Sequence, residues 1–182
     1  MFKYFVIFFF VILITDTNAS NKKKIINILK NTKNFNFDFE QNINGKIENG
    51  NCIIEYPKKI FCEYNNKNNK ILVSNGKSLV IKTTSSYYRY PLQRTPLYLI
   101  LDKNFLINQI YDLEERILDK SFINYKIIEK DNEINIFFHN KTFNLIGWQT
   151  KDIYQNLNIT FISSVKTNEV INKNLFKLPL QN

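Results

Sequence analysis

Glycine, proline, cysteine and histidine are scarce in this chain of 182 residues: four, four, two and one. So few glycines leave no room for a glycine-rich loop that cradles phosphates, which excludes nucleotide chemistry of that kind. The single histidine, His139, lies far from Cys52 and Cys62 and has no metal-ligand spacing around it, so no zinc set can be assembled from sequence. No serine or cysteine nucleophile motif accompanies His139, and a lone histidine on a strand reads as structural. The acidic run Asp112, Glu114 and Glu115 is the pattern of a solvated helix face. The chain is therefore expected not to be an enzyme, and to need neither metal nor cofactor.

Acidic residues are also outnumbered, 16 against 25 basic ones, for a net charge of +9. The lysines are scattered among asparagines and isoleucines, the bias of an AT-rich genome, so the charge by itself names no partner. One apolar run stands out, Phe5 to Ile14, preceded by Lys3 and followed by Thr17-Asn18-Ala19. That is the layout of a secretory signal peptide, and it is too short to span a bilayer, which takes roughly 20 apolar residues. The expectation is a signal peptide over 1–19, cleavage after Ala19, and a single exported domain over 20–182. Ser20, the expected mature N-terminus, is not a cysteine and offers no site for a lipid anchor. Export makes nucleic acid an unsuitable partner and leaves attraction to anionic lipid head groups open.

What the chain does have is alternation. KKKIINILKN reads as a short amphipathic surface helix, after which Phe35, Phe37 and Phe39 alternate with polar residues as a half-buried strand with an aromatic face. Asn44-Gly45, Asn49-Gly50 and Asn75-Gly76 punctuate the next segments as turns, the last being the strongest hairpin signal. Thr95-Pro96 before LYLIL reads as an N-cap, a first-turn proline and a very apolar helix. NFLINQIYDLEERIL continues as helix or irregular chain. FINYKII, INIFFH, TFNLIGWQ and LNITFISSV then return to strand patterns. The sum is a mainly β fold, an antiparallel sheet of about ten strands with two or three helices.

The stretch NCIIEYPKKIFCEY folds about Pro57. With Cys52 opposite Cys62, Ile53 meets Phe61, Ile54 meets Ile60, and Glu55 meets Lys59 as a cross-strand ion pair. Cys52, Ile54, Tyr56, Ile60, Cys62 and Tyr64 then share the apolar face. In an exported domain this register suits a disulfide across the hairpin, with two buried thiols as the other reading.

FNFDFEQ, NCIIEYPKKIFCEY, ILVSNGKSLVI, RTPLYLIL and LIGWQTKD before LFKLP, in this order, resemble the periplasmic outer-membrane lipoprotein carrier proteins, the LolA family. The resemblance implies an unclosed antiparallel β-barrel, a strongly curved sheet with a helical lid and an N-terminal helix, whose cavity receives lipoprotein acyl chains. Such carriers shuttle cargo from an inner-membrane ATP-driven release complex to an outer-membrane acceptor, here as an expected monomer in the periplasm. On that footing the cavity residues are Phe35, Phe37, Phe39, Ile54, Tyr56, Ile60, Tyr64, Leu97, Leu101 and Trp148. Where the family has an arginine that helps hold the lid, this sequence has Tyr56. The lid and latch candidates are therefore Tyr56, Arg94, Thr95 and Pro96. The other class is an envelope-stress sensor or lipid-binding module on the same curved sheet. Such sensors carry an additional domain for which this length leaves little room.

Overall fold

The alternating phenylalanines form β1 (Asn34–Ile43), with Phe35, Phe37 and Phe39 all buried. The computed structural model describes residues 20–181 except 131 and 152–154, so the expected signal peptide lies outside the described residues. Asn44 and Gly45, both with positive φ, turn β1 into β2 (Lys46–Glu55). Asn49-Gly50, by contrast, is no turn: Gly50 sits inside β2. A Cβ there would lie 2.0 Å from the Glu63 carbonyl oxygen and 2.9 Å from the Phe39 ring, so glycine answers to crowding.

The β2 hairpin partner is β3 (Lys59–Tyr64), and its register is Cys52 with Cys62, Ile53 with Phe61, Ile54 with Ile60, and Glu55 with Lys59. Lys59 Nζ and Glu55 Oε2 are 2.9 Å apart, and Cys52 and Cys62 form a disulfide. The strands β4 (Ile71–Asn75), β5 (Ser78–Lys82) and β6 (Tyr87–Pro91) extend the sheet on that side. After the helices come β7 (Arg116–Leu118), β8 (Phe122–Glu129), β9 (Asn132–His139), β10 (Leu145–Lys151) and β11 (Leu157–Thr167). The eleven strands form one antiparallel sheet in the order β6-β5-β4-β3-β2-β1-β11-β10-β9-β8-β7. β6 and β7 remain edges, so the sheet curls without closing into a barrel. The short edge strands β6 and β7 are the two that the hydrophobic pattern had not announced.

Three helices lie with the sheet. α1 (Asn21–Asn31) is capped by the Ser20 hydroxyl and buries Ile25 and Leu29. A 3-10 turn over Leu92–Arg94 leads to the four-residue α2 (Leu97–Ile100), and α3 (Lys103–Asp112) follows, capped by the Asp102 carboxylate on the Phe105 N–H. Thr95 is not the expected N-cap. It is extended and its hydroxyl donates to the Leu92 carbonyl at 2.8 Å, closing the preceding turn and leaving Pro96 to start α2. α1 and α3 pack together over β8–β10, where Ile25, Leu106, Ile110, Tyr125 and Phe138 are all buried. That half of the concavity is solid. Over β2–β5 the concave face meets, among the described residues, the Leu92–Arg94 turn, Thr95, Pro96 and α2. His139 has a structural task, its Nδ1 accepting from the Lys141 and Thr142 amides of the β9–β10 turn.

Candidate functional site

The uncovered half of the sheet encloses a cavity of about 220 Å³. Register explains what lines it. Phe37, Cys52, Cys62, Leu72, Ile81 and Tyr88 are successive partners across six strands, one ladder rung on the concave side. The next rung toward the β1–β2 turn carries Phe39, Gly50 and Tyr64. Because Gly50 has no side chain, the Phe39 and Tyr64 rings meet edge to face over it, with centroids 4.9 Å apart.

The cavity has an apolar part and a polar one. Ile60, the disulfide, Leu72, Leu79 and Leu97 supply the first, and Gln41, Thr150, Asn158 and Thr160 the second, with Lys70 and Lys151 at its side. Gln41 donates to the Thr160 hydroxyl at 3.1 Å and accepts from the Tyr64 hydroxyl at 3.3 Å. Burial, with the Glu48 charge adding to it, pushes the Tyr64 hydroxyl above its usual range, which keeps it a proton donor. Lys70 pairs with Glu48 at 2.5 Å, and Lys46 holds the same carboxylate at 2.9 Å. Lys70 and Ile81 also form the wall of a second, polar groove of about 410 Å³ beside the cavity.

The residues singled out from sequence divide among three places. Phe39, Ile60, Tyr64, Thr95, Pro96, Leu97, Trp148 and both cysteines line the cavity. Phe35 and Tyr56 line instead a small pocket under α1, of about 30 Å³. Phe37, Ile54 and Leu101 are buried at no more than 1% exposure within the core, and the Trp148 ring stands edge-on to Phe37 at 6.2 Å.

The region before and after α2 is fastened by residues that sequence reasoning did not name. Lys58, next after Pro57, donates its backbone N–H to the Leu101 carbonyl at 2.8 Å. Its ammonium pairs with Asp102 at 3.1 Å and stands 3.5 Å from the centre of the Tyr98 ring. Lys103 Nζ, 5.7 Å from the Tyr56 ring centre, donates to the Thr32 carbonyl at 2.9 Å. Arg94 is exposed and joins none of these contacts, while the Tyr56 ring packs on Phe35 at 5.9 Å. The only local signal for Lys58 is its place beside the hairpin proline.

The antiparallel sheet is thus open, packed by α1 and α3 on one half and hollow under a short apolar helix on the other. The chain belongs to the outer membrane lipoprotein carrier protein LolA family, whose model matches residues 30–179. No curated protein matches it. Among solved structures, an uncharacterized conserved protein from Thermus thermophilus superposes with a TM-score of 0.51 at 8% identity, covering 86% of this chain and 93% of that one. A putative outer membrane lipoprotein-sorting protein domain from Vibrio parahaemolyticus gives 0.47 at 7% identity, covering 86% and 97%. A LolA superfamily protein from Nitrosomonas europaea gives 0.43 at 9% identity, covering 87% and 96%. At such identities the likeness concerns the fold.

Proposed function

We propose that this chain is a soluble periplasmic carrier that takes up the acyl chains of lipoproteins and shuttles them from the inner to the outer membrane. In this reading the first 19 residues are a signal peptide, residues 20–182 form the single working domain, and the domain acts as a monomer without catalysis. Its partners are an inner-membrane ATP-driven release complex and an outer-membrane acceptor. The observation that carries the reading is the apolar cavity between the concave sheet and Pro96–Leu97, in a chain of the LolA family. Each buried methylene is worth about 0.8 kcal/mol, so an acyl chain does not cross water unaided at useful rates. A cavity of about 220 Å³ is smaller than the roughly 300–1,000 Å³ of ordinary ligand pockets. Uptake of an acyl chain therefore requires α2 and the turn before it to move outward, and the guest leaves the same way.

Leu97→Asn tests the mechanism. Leu97 is half-buried at the cavity, and a desolvated amide without a partner costs about 1 to 3 kcal/mol. Binding of a fluorescent acyl probe per folded molecule is expected to weaken, with only a small fall in melting temperature. A collapsed melting temperature with unaltered probe binding by the folded fraction would make α2 ordinary core and remove the lid from the mechanism.

A further inference from the structure

The polar part of the cavity contains one atom that the fold leaves unanswered. Asn158 follows the alternation of β11 onto the concave side, opposite Ile43 on one neighbour and Thr150 on the other. This places it at the β1–β2 turn end of the cavity, away from the β2–β3 turn that holds Leu101. Its side-chain oxygen Oδ1 is buried, and no described residue donates to it. Gln41, one strand over, is engaged with Tyr64 and Thr160. A buried acceptor without a donor is costly. Here it lines a cavity that is otherwise mostly apolar.

We propose that Asn158 receives the N–H of an N-acyl amide, the junction between an acyl chain and a peptide amine. The acyl chain then lies toward Ile60 and Leu97, and the peptide leaves through the adjoining groove. This inference rests on the carrier reading and deepens it by naming the group recognised. The groove shares Lys70 and Ile81 with the cavity and is lined by Asn65, Asn66, Thr83 and Ser86, a polar path suited to a hydrated peptide. A phosphodiester head group would find Lys46 and Lys70 already engaged by Glu48, which leaves Lys151 at the side of the cavity as its cation, and competition separates that case from the amide. Oδ1 is itself closed off in this structure, so a guest reaches it only as the cavity widens on uptake; what it then meets is an acceptor, and an acceptor asks for a donor.

Competition against a bound fluorescent acyl probe tests this with N-palmitoyl glycinamide and its ester analogue, palmitoyl glycolamide, in which oxygen replaces the N–H. The wild-type chain is expected to bind the amide about three- to tenfold more tightly, the worth of one buried hydrogen bond. That preference should disappear in Asn158→Leu and persist in Asn158→Asp, which keeps the acceptor, with melting curves confirming that both variants fold. Equal binding of amide and ester by wild type would show that water alone serves Oδ1 and would overturn the inference while leaving the carrier reading intact. A preference undiminished in Asn158→Leu, or a palmitoyl phosphodiester lipid that displaces the probe better than the amide, would overturn it as well. If wild type binds no acyl probe at all, the carrier reading fails and the inference with it.

Discussion

Glu48 shows how a single residue sets the boundary between the greasy cavity and the wet groove. Burial pushes its carboxyl up, but the hydrogen bonds and charges of Lys70 and Lys46 outweigh that and hold it below the usual carboxylate range. A group whose pKa is depressed by folding stabilises the fold above its unfolded value, about 4.3 for glutamate, and loses that contribution as pH falls through the folded value. Glu48→Gln is therefore expected to lower the melting temperature at neutral pH, and the gap to wild type should close toward about pH 2. A gap that stays constant across the titration would mean that the ion pairs contribute nothing and that the loss is one of packing. None of this was legible beforehand: Lys70 lies in a different strand connection, 22 residues on, and nothing local marks the pair. The cysteines are the opposite case. They sit on one hairpin, where each register pair had to make chemical sense, so one assignment satisfied all of them.

At the scale of elements, α2 and the turn that fastens it carry the proposed motion. Lys58 joins the β2–β3 turn to Leu101 through its backbone, and to Tyr98 and Asp102 through its ammonium. Burial lowers the Lys58 pKa, but its hydrogen bonds and charge interactions with Tyr98 and Asp102 outweigh that and raise it, so it remains a cation throughout the physiological range. A partly exposed ion pair with an aromatic face is worth about 1 kcal/mol. Lys58→Met is thus expected to speed release of a bound acyl probe roughly fivefold in a stopped-flow displacement experiment. Arg94→Gln, which removes an exposed cation of the same region, should leave release unchanged. Equal effects of the two variants would assign the change to overall charge and discard the latch. The apolar character of α2 was plain in LYLIL, and so was the proline that begins it. Which residues reach the cavity was less legible. Phe35, Phe37 and Phe39 are equivalent in the alternation of β1, yet the helix α1 claims the first, the core the second, and only the third faces the cavity. That division depends on where α1 and α3 come to rest, a tertiary fact absent from a two-residue period.

Over the whole molecule, one continuous sheet is filled at one end and hollow at the other. Over β8–β10 the concavity is filled by α1 and α3, with Ile110, Ile123, Tyr125, Ile127 and Ile134 all at 0% exposure. Over β2–β5 the concave side chains face a cavity, and among the described residues their cover is the four-residue α2 and the turn before it. Local opening follows the density of buried contacts, so protection against hydrogen exchange should differ between the halves of one sheet. Amides of β8 and β9 are expected to exchange only through global unfolding. Those of α2 and of β5 should exchange sooner by local opening, β5 being shielded from the edge only by the short β6. Saturation with an acyl probe should then slow exchange in α2, β4 and β5 and leave β8 and β9 as they were, because a guest stabilises what it touches by mass action. Uniform slowing across all eleven strands would show that the sheet responds as one body, with no separate adaptable half. No slowing in α2 with the cavity occupied would mean that the helix does not close over the guest, and the cup would have to hold its acyl chain by the sheet alone.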